Sequence, residues 1–166
     1  MAEFERTLKA PHWFQLKTVV FSHGWYDLPS FRWEEGERSL GATVRAAGRV
    51  VDLVITSPAR GRMRVQATFT GRSSQCIESA VDEIVEGMFG LTQSFDEFYE
   101  QAGIDYDWAK KRGAGPFLRG ATVFEDAVKM LATTNCSWSL TRQMITRLVQ
   151  ELGETSLSGS RAFPTP

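Results

Sequence analysis

The segment 132–144, ATTNCSWSLTRQM, places several small hydrogen-bonding side chains between two runs that favour helices. Thr133, Thr134 and Asn135 supply two hydroxyls and an amide, and Trp138 follows three residues later. Hydroxyl and amide groups can both donate and accept hydrogen bonds. A turn that contacts only water does not need a Trp, and a buried turn does not need three polar side chains. We interpret the segment as a loop that presses against another molecule.

No self-sufficient catalytic motif accompanies this loop. The sequence contains no Gly-x-Ser-x-Gly, no Walker loop and no His-Glu-x-x-His. The acidic stretch at 34–37 is typical of a hairpin tip, and a single His such as His23 among aromatic residues is more often packed than catalytic. The GAG at 113–115 follows three basic residues and could hold a phosphate, although a simple glycine turn is favoured. We therefore assign no catalytic residue.

The cysteine and histidine content excludes several kinds of site. Cys76 and Cys136 are too few for a disulfide scaffold, a zinc site or an iron–sulfur cluster. His12 and His23 are the only histidines, which argues against a His-rich metal site. We expect neither a metal nor a cofactor.

Length and composition indicate an ordinary globular protein. The 166 residues can form one medium domain or two small halves, with a real core. A hydrophobic content of 42% and a charged content of 23% argue against disorder. No apolar run approaches the length of a membrane span, and the N-terminus lacks the hydrophobic stretch of a signal peptide. These features predict a cytoplasmic protein without membrane contact.

Charge is distributed in blocks along the chain. Residues 1–73 contain 11 basic and 7 acidic side chains, and residues 74–107 contain 9 acidic side chains with no Lys or Arg. Residues 108–150 contain 7 basic side chains against 2 acidic ones. Such blocks are typical of solvated faces, and they are also compatible with a protein that has a basic face for a polyanion and an acidic back.

Periodicity predicts a sheet followed by helices, which is an α+β fold. β-rich runs of strand length, separated by turn-forming residues, predict an antiparallel meander with strands at 14–21, 39–47, 50–57 and 63–70. Within the last run, Arg62 and Arg64 alternate with Met63 and Val65, which predicts one basic and one apolar face of the sheet.

Four helices are predicted after residue 74. An apolar stripe at helical spacing runs from Ile77 to Phe89, and it should pack on the sheet with acidic residues facing water. A short helix is expected at 94–102. Residues 122–132 begin with a capping box and should bury a stripe of Val123, Phe124, Ala127, Val128 and Leu131. Ser137 should cap a further helix that ends at Gly153 and turns Trp138, Thr141, Ile145, Leu148, Val149 and Leu152 to one side.

Three segments together carry a resemblance to a known family. FSHGWYDLPSFRW (21–33), FLRGATVFEDAVKMLATTNCSWSLTRQMITRLVQELGE (117–154) and AFPTP (162–166) resemble the helix-hairpin-helix superfamily of DNA glycosylases, in particular 3-methyladenine DNA glycosylase II and 8-oxoguanine DNA glycosylase. The resemblance covers nearly the whole chain and implies a TATA-binding-protein-like antiparallel sheet followed by the first helices of a helical domain. It implies base-excision repair of alkylated or oxidised bases in double-stranded DNA, at the nucleoid of a bacterial cytoplasm.

The resemblance gives the opening loop a role. In the family an Asn of this loop enters the gap that a flipped base leaves in the duplex, and Asn135 stands at that position. Thr134 and Ser137 provide hydroxyls for phosphate, the helix that starts at Ser137 offers backbone N–H groups, and Arg142 is a further candidate DNA contact. Trp138 would anchor the loop. On the residues alone, Asn135 could instead simply end a helix while Trp138 fills space.

The sequence departs from the family in its base-recognition residues. The 8-oxoguanine enzymes have Gly-Gln before Ser-Phe-Arg-Trp, whereas this chain has Leu28 and Pro29 there. Leu140 stands where those enzymes place an Arg that reads the orphaned cytosine. Broader specificity for alkylated bases is more compatible with these differences. Pro29, Ser30 and Phe31 are the candidates for a base pocket.

The family's glycine-rich hairpin, catalytic Asp and, in some members, Lys nucleophile follow the segment that ends here at Pro166. The resemblance therefore implies a glycosylase N-terminal domain at 1–106 and the opening helices of a catalytic domain at 107–166. Such a fragment is expected to be inactive alone and either to self-associate or to pair with a complementary C-terminal half. A non-catalytic module remains the other class of function, binding DNA or a small apolar ligand between helix 74–90 and the sheet.

Overall fold

The computed structural model describes residues 1–166 and confirms the α+β class. Its strands are β1 (Ala2–Lys9), β2 (Phe31–Glu34), β3 (Ser39–Ala46), β4 (Arg49–Ala59) and β5 (Arg62–Phe69). They form one antiparallel sheet in the order β1-β5-β4-β3-β2. The helices are α1 (Leu16–Val20), α2 (Gln75–Phe89), α3 (Asp96–Ala102), α4 (Asp107–Arg112), α5 (Val123–Thr133) and α6 (Trp138–Leu152), with 3-10 turns at Gly24–Asp27 and Ile104–Tyr106. None of these helices is both long and apolar enough to cross a membrane.

The meander predicted for β3, β4 and β5 is confirmed. Met63 and Val65 are fully buried, whereas Arg62 and Arg64 lie on the exposed face, as their alternation predicts. The turn between β3 and β4 places Ala47 at a φ of 46° and the following Gly at a positive φ as well. Two consecutive positive φ angles suit a type I′ turn, whose twist matches that of the strands it joins.

The strand predicted at 14–21 is wrong, because residues 16–20 form helix α1. Its buried side chains are Leu16, Val19 and Val20, which have the i, i+3, i+4 spacing of a helix face. The predicted meander would place that strand beside β3, and β2 takes this position instead. β1, which was not predicted, pairs with β5, from the Ala2–Phe69 pair to the Lys9–Arg62 pair. β1 alternates between more and less exposed residues, so it suits an edge strand with one face on the core.

Helix α2 covers the apolar face of the sheet as predicted. Its side chains Ile77, Val81, Val85, Met88 and Phe89 are all at most 1% exposed and belong to one core cluster with the inward residues of the strands. This packing occupies the interface between 74–90 and the sheet, which argues against the alternative of a small apolar ligand bound there. The acidic residues of α2 do not all face only solvent as predicted. Asp82 forms an ion pair of 2.6 Å with Arg6 of β1.

Helix α5 is rotated relative to the prediction. Val123 and Leu131, expected in the core, are 86% and 72% exposed, and Phe124 is also exposed. Glu125 and Lys129 are buried in their place, at 2% and 0% exposure. These two side chains lie one helical turn apart and form an ion pair of 2.5 Å between Lys129 Nζ and Glu125 Oε1. The pair satisfies both charges inside the protein, which allows the apolar side of α5 to face outward.

Helix α6 is oriented as predicted on its inner side. Thr141, Ile145 and Val149 are buried, and Ser137 caps the helix by accepting a hydrogen bond from Leu140 N. Trp138 and Leu152 are not buried, at 38% and 65% exposure. The exposed apolar side chains of the two helices, which we call the α5–α6 apolar face, are Val123, Met130, Leu131, Leu140, Met144 and Leu152.

Candidate functional site

The loop between α5 and α6 presents Asn135 to the solvent. Asn135 has a φ of 53°, a left-handed conformation that Asn tolerates better than most residues, and its side chain makes no hydrogen bond within the protein. The hydroxyls of Thr133 and Thr134 donate to the carbonyls of Met130 and Leu131 at the end of α5. These bonds close the helix end, and the chain then turns sharply at Asn135. The amide is therefore exposed on a well-fixed turn.

Three further hydrogen bonds hold the other end of the loop. Cys136 Sγ and Thr141 Oγ1 both donate to the carbonyl of Ala132, at 2.8 and 2.9 Å. Ser137 Oγ accepts from Leu140 N at 3.3 Å and so starts α6. Because both helices share these bonds, the loop geometry is set by α5 and α6 together.

Trp138 anchors the loop to the Gly24–Asp27 turn. Its Nε1 donates to Asp27 Oδ2 at 3.1 Å, and its ring lies so close to Gly24 that a Cβ there would stand 2.5 Å from the ring. Arg142 Nε reaches the same carboxylate oxygen of Asp27 at 3.3 Å. The anchor predicted for Trp138 is thus present, although its partner is a surface turn and its ring is 38% exposed.

One side of α6 forms an open, shallow polar surface with a volume of about 470 Å³ above it. Its lining, which we call the α6 cationic groove, consists of Ser139, Arg142, Gln143, Thr146, Arg147 and Gln150. No carboxylate and no apolar side chain lines it. Arg147 forms no ion pair, and Arg142 has only the single contact with Asp27. Two guanidinium groups among hydroxyls and amides can bind phosphate or another anion.

Pro29, Ser30 and Phe31 line a second cavity of about 770 Å³, which we call the sheet cleft. It lies against the strand residues Thr43, Asp52 and Thr68 and against α6, where it shares Thr146 and Gln150 with the α6 cationic groove. Thr134, Asn135, Ser137 and Arg142 lie around the start of α6. The base-pocket candidates closely follow Asp27, the residue that Trp138 and Arg142 contact.

Comparison with known proteins gives a match in structure only. No protein-family model matches the chain, and no curated protein sequence does either. Among solved structures, the 3-methyladenine DNA glycosylase from Archaeoglobus fulgidus matches with a TM-score of 0.75 over 96% of this chain, at 18% sequence identity. The fold is DNA glycosylase-like. The chain spans 56% of the length of that structure.

The arginines of this glycosylase-like fold are largely neutralised on the sheet. Arg6, Arg32, Arg45 and Arg64 each form an ion pair with a carboxylate, and the pairs are partly or largely exposed. These ion pairs favour the interpretation that the charged residues of the sheet form a solvated face. They argue against a basic sheet face that binds a polyanion. Along α6, by contrast, Arg147 has no carboxylate partner and Arg142 has only its contact with Asp27.

Two other sequence candidates have structural roles. His23 Nδ1 accepts from Trp25 N at 3.1 Å, and burial lowers the pKa of His23, so the imidazole is a packed, neutral group. Gly113 ends α4 at a φ of 63°, and a Cβ there would lie 2.3 Å from Trp13 O. The glycine turn is confirmed, since only Gly fits so close to that carbonyl. The chain brings no three His, Cys, Asp or Glu side chains together that could hold a metal ion.

Sequence reasoning missed five groove residues and one buried pair. The missed groove residues recur at three- and four-residue intervals, so their polar spacing on a predicted helix could have identified the groove; they are Ser139, Gln143, Thr146, Arg147 and Gln150. The pair of Glu125 and Lys129 has the i, i+4 spacing of a helix ion pair, but that spacing alone does not distinguish a buried pair from an exposed one.

Proposed function

We propose that the chain is the N-terminal, DNA-holding part of a base-excision DNA glycosylase of the helix-hairpin-helix superfamily. It would bind double-stranded DNA that carries an alkylated or oxidised base. The observation that carries the proposal is the combination of an exposed, unpartnered Asn135 amide with the carboxylate-free α6 cationic groove, whose lining begins four residues later at Ser139. The glycosylase-like fold supports the same function at the level of architecture.

Each part of the site has a role in this proposal. Arg142 and Arg147 bind phosphates of the DNA backbone, together with the free N–H groups at the start of α6. Asn135 enters the duplex only after a base has left the stack, where its amide can hydrogen-bond to the unpaired partner base. Trp138 and Asp27 keep the loop in place while the duplex pushes against it.

Catalysis requires groups that this site does not contain. The groove has no carboxylate to stabilise a sugar cation and no Lys to act as a nucleophile. We propose that a complementary C-terminal segment supplies them and covers the α5–α6 apolar face. Without that segment, the 166-residue chain should release no base from alkylated or oxidised duplexes and should self-associate through the apolar face. Protein-dependent base release, or a sharply two-state monomer in sedimentation and calorimetry, would contradict this part.

The DNA proposal is tested by fluorescence anisotropy with an intact duplex and with a duplex that has an abasic gap, over a series of salt concentrations. Arg142→Ala and Arg147→Ala should weaken binding to both duplexes and reduce the salt slope by about 0.9 for each lost phosphate contact. Asn135→Ala should leave the intact duplex unaffected and weaken the gapped one by about 1 kcal/mol. Arg60→Ala is the matched control, since Arg60 is exposed on the β4–β5 turn without an ion pair.

The result that overturns the proposal is specific. If Arg60→Ala reduces the salt slope as much as Arg142→Ala, binding is a general effect of charge. If Asn135→Ala changes neither duplex while Arg142→Ala weakens both, the groove binds DNA but the loop does not enter it.

A further inference from the structure

Asp27 contacts two side chains of α6 with one carboxylate oxygen. Its Oδ2 accepts a 3.1 Å hydrogen bond from Trp138 Nε1 and lies 3.3 Å from Arg142 Nε. Trp138 and Arg142 are four residues apart, so they project from the same side of the helix. Asp27 itself belongs to the 3-10 turn at Gly24–Asp27. One residue outside α6 therefore holds both the side chain that anchors the loop and an arginine of the α6 cationic groove.

The contact leaves the outer end of Arg142 free. The ion pair uses Nε, and the two terminal nitrogens of the guanidinium have no partner in the protein. The side chain is 54% exposed, so these nitrogens are accessible. A guanidinium has five N–H donors in a planar fork, so it can contact a carboxylate along its Nε side and a phosphate with its terminal N–H groups. Asp27 and a phosphate can therefore bind Arg142 at the same time.

The two arginines of the groove differ in how far they are ordered. Arg147 lines the same groove and forms no ion pair. A long side chain loses rotamer freedom when it binds a ligand, and this loss weakens binding. Arg142 is already restrained by Asp27 in the free protein, so it should lose less freedom than Arg147 on contact with a phosphate.

Asp27 also fixes Arg142 relative to the loop. The Trp138 ring packs closely over Gly24, and its Nε1 shares the Asp27 carboxylate with Arg142. The Gly24–Asp27 turn thus sets the positions of the loop anchor and of the arginine together. A loop that enters a duplex must be in register with the phosphate contacts, because the phosphates are evenly spaced along each strand.

We propose that Asp27 is a positioning residue for DNA, which directs Arg142 at a backbone phosphate and keeps it in register with the Asn135 loop. This inference rests on the proposed DNA-binding function. It predicts an effect of unusual sign: the Asp27 carboxylate raises the affinity for a polyanion, although its own charge repels that polyanion.

Fluorescence anisotropy of Asp27→Ala with the intact duplex and the duplex with an abasic gap tests the proposal. Binding to the intact duplex should weaken about two- to fivefold, the measure of one exposed charge contact. Binding to the gapped duplex should weaken further, because the loop is displaced as well. Glu35→Ala is the matched control: Glu35 also holds an indole N–H, that of Trp33, and a cation, that of Lys17, and neither belongs to α6. It should bind both duplexes at least as tightly as the wild type.

Two further comparisons separate the contacts of Asp27. Asp27→Asn keeps an acceptor for Trp138 Nε1 and removes the charge beside Arg142, so it should weaken binding to both duplexes equally. Arg142→Lys should also weaken both, because an ammonium lacks the second edge of the guanidinium. Arg147→Lys should stay within about twofold of the wild type, since a point charge suffices where no carboxylate orients the side chain.

The outcomes distinguish this inference from the function on which it rests. If Arg142→Ala does not weaken duplex binding, the groove does not bind DNA and both proposals fail. If Arg142→Ala weakens binding while Asp27→Ala and Asp27→Asn bind as tightly as Glu35→Ala, the groove binds DNA and Asp27 is not a positioning residue. Equal losses for Arg142→Lys and Arg147→Lys would also overturn the role of Asp27.

Discussion

Replacing Lys129 by Met should lower the free energy of unfolding by about 3–5 kcal/mol, the cost of removing one partner of a buried ion pair. Lys129 Nζ lies 2.5 Å from Glu125 Oε1, and the two side chains are 0% and 2% exposed. Met keeps most of the apolar stem but has no charge. The carboxylate of Glu125 then stays in the core with only the 3.0 Å hydrogen bond from Ala121 N.

The aromatic surroundings of Lys129 add to this loss. Its ammonium lies 4.5 Å from the centroid of Phe31, 5.7 Å from that of Phe163 and 5.8 Å from that of Trp25. A desolvated cation over an aromatic ring contributes up to about 2 kcal/mol, although three rings around one cation do not add in full. The expected loss of unfolding free energy for Lys129→Met therefore lies toward the upper end of the range given above.

A double substitution separates the charge effect from simple packing. Glu125→Gln keeps an acceptor for Ala121 N and removes the negative charge, so the double variant of Glu125→Gln and Lys129→Met contains no unpaired buried charge. It should be more stable than Lys129→Met alone, with a coupling of at least about 2 kcal/mol between the two sites. Lys17→Met is the control, because the pair of Lys17 and Glu35 is exposed and its loss should change stability far less than the loss of the buried pair.

The measurement is urea unfolding followed by tryptophan fluorescence, with all variants fitted to a common slope. With a slope of about 1–3 kcal/mol per molar urea, the expected loss of unfolding free energy lowers the urea midpoint by at least about 1 M. A Lys129→Met variant within about 1 kcal/mol of the wild type, or a double variant less stable than Lys129→Met, would refute the reasoning.

Three further predictions concern the loop and its support. Burial lowers the pKa of His23 in the folded protein, so the unfolded chain binds a proton at His23 more readily. The contribution of neutral His23 to stability is therefore complete above the ordinary pKa of about 6.5 and is lost as the pH falls below it. The stability difference between wild type and His23→Gln, from urea unfolding, should therefore decrease on acidification. Gly24→Ala should displace the Trp138 ring and cost about 1–3 kcal/mol, visible as a change in near-ultraviolet circular dichroism. Ser137→Ala should cost about 1 kcal/mol by calorimetry through loss of the helix cap, whereas Ser139→Ala should be neutral.

Secondary structure was predictable where local preference and tertiary packing agree. In β3, β4 and β5 the alternation of apolar residues matches the buried face, and in α2 the apolar stripe matches the core. At 14–21 the β-branched and aromatic residues favour a strand, but Leu16, Val19 and Val20 fit the core only when the segment is helical. The edge strand at 2–9 carries charges at alternate positions, which weakens the strand pattern in the sequence.

The orientation of α5 could not be derived from hydrophobic spacing. That rule places Val123 and Leu131 inside, whereas the buried residues are Glu125 and Lys129. A charged pair enters a core only when its partners, here Ala121 N and several aromatic rings, are already in place. Ala121 is a near neighbour of Glu125, but the rings of Trp25, Phe31 and Phe163 come from segments far apart in the chain. By contrast, the cap at Ser137 was predicted from the local sequence, since a helix cap depends on neighbouring residues. The role of Asn135 came from the family resemblance, and its left-handed conformation was not predicted.

The pairing of β1 with β5 has a consequence for the order of folding. β3, β4 and β5 follow one another with short turns, so they can pair as soon as residue 69 is available. β1 must remain unpaired until then, because its partners are residues 62–69. The strand made first thus completes the sheet last, and its long closing loop should limit the folding rate. During synthesis β5 has a free edge until β1 arrives, and this interval is the one in which the nascent chain is most exposed to aggregation.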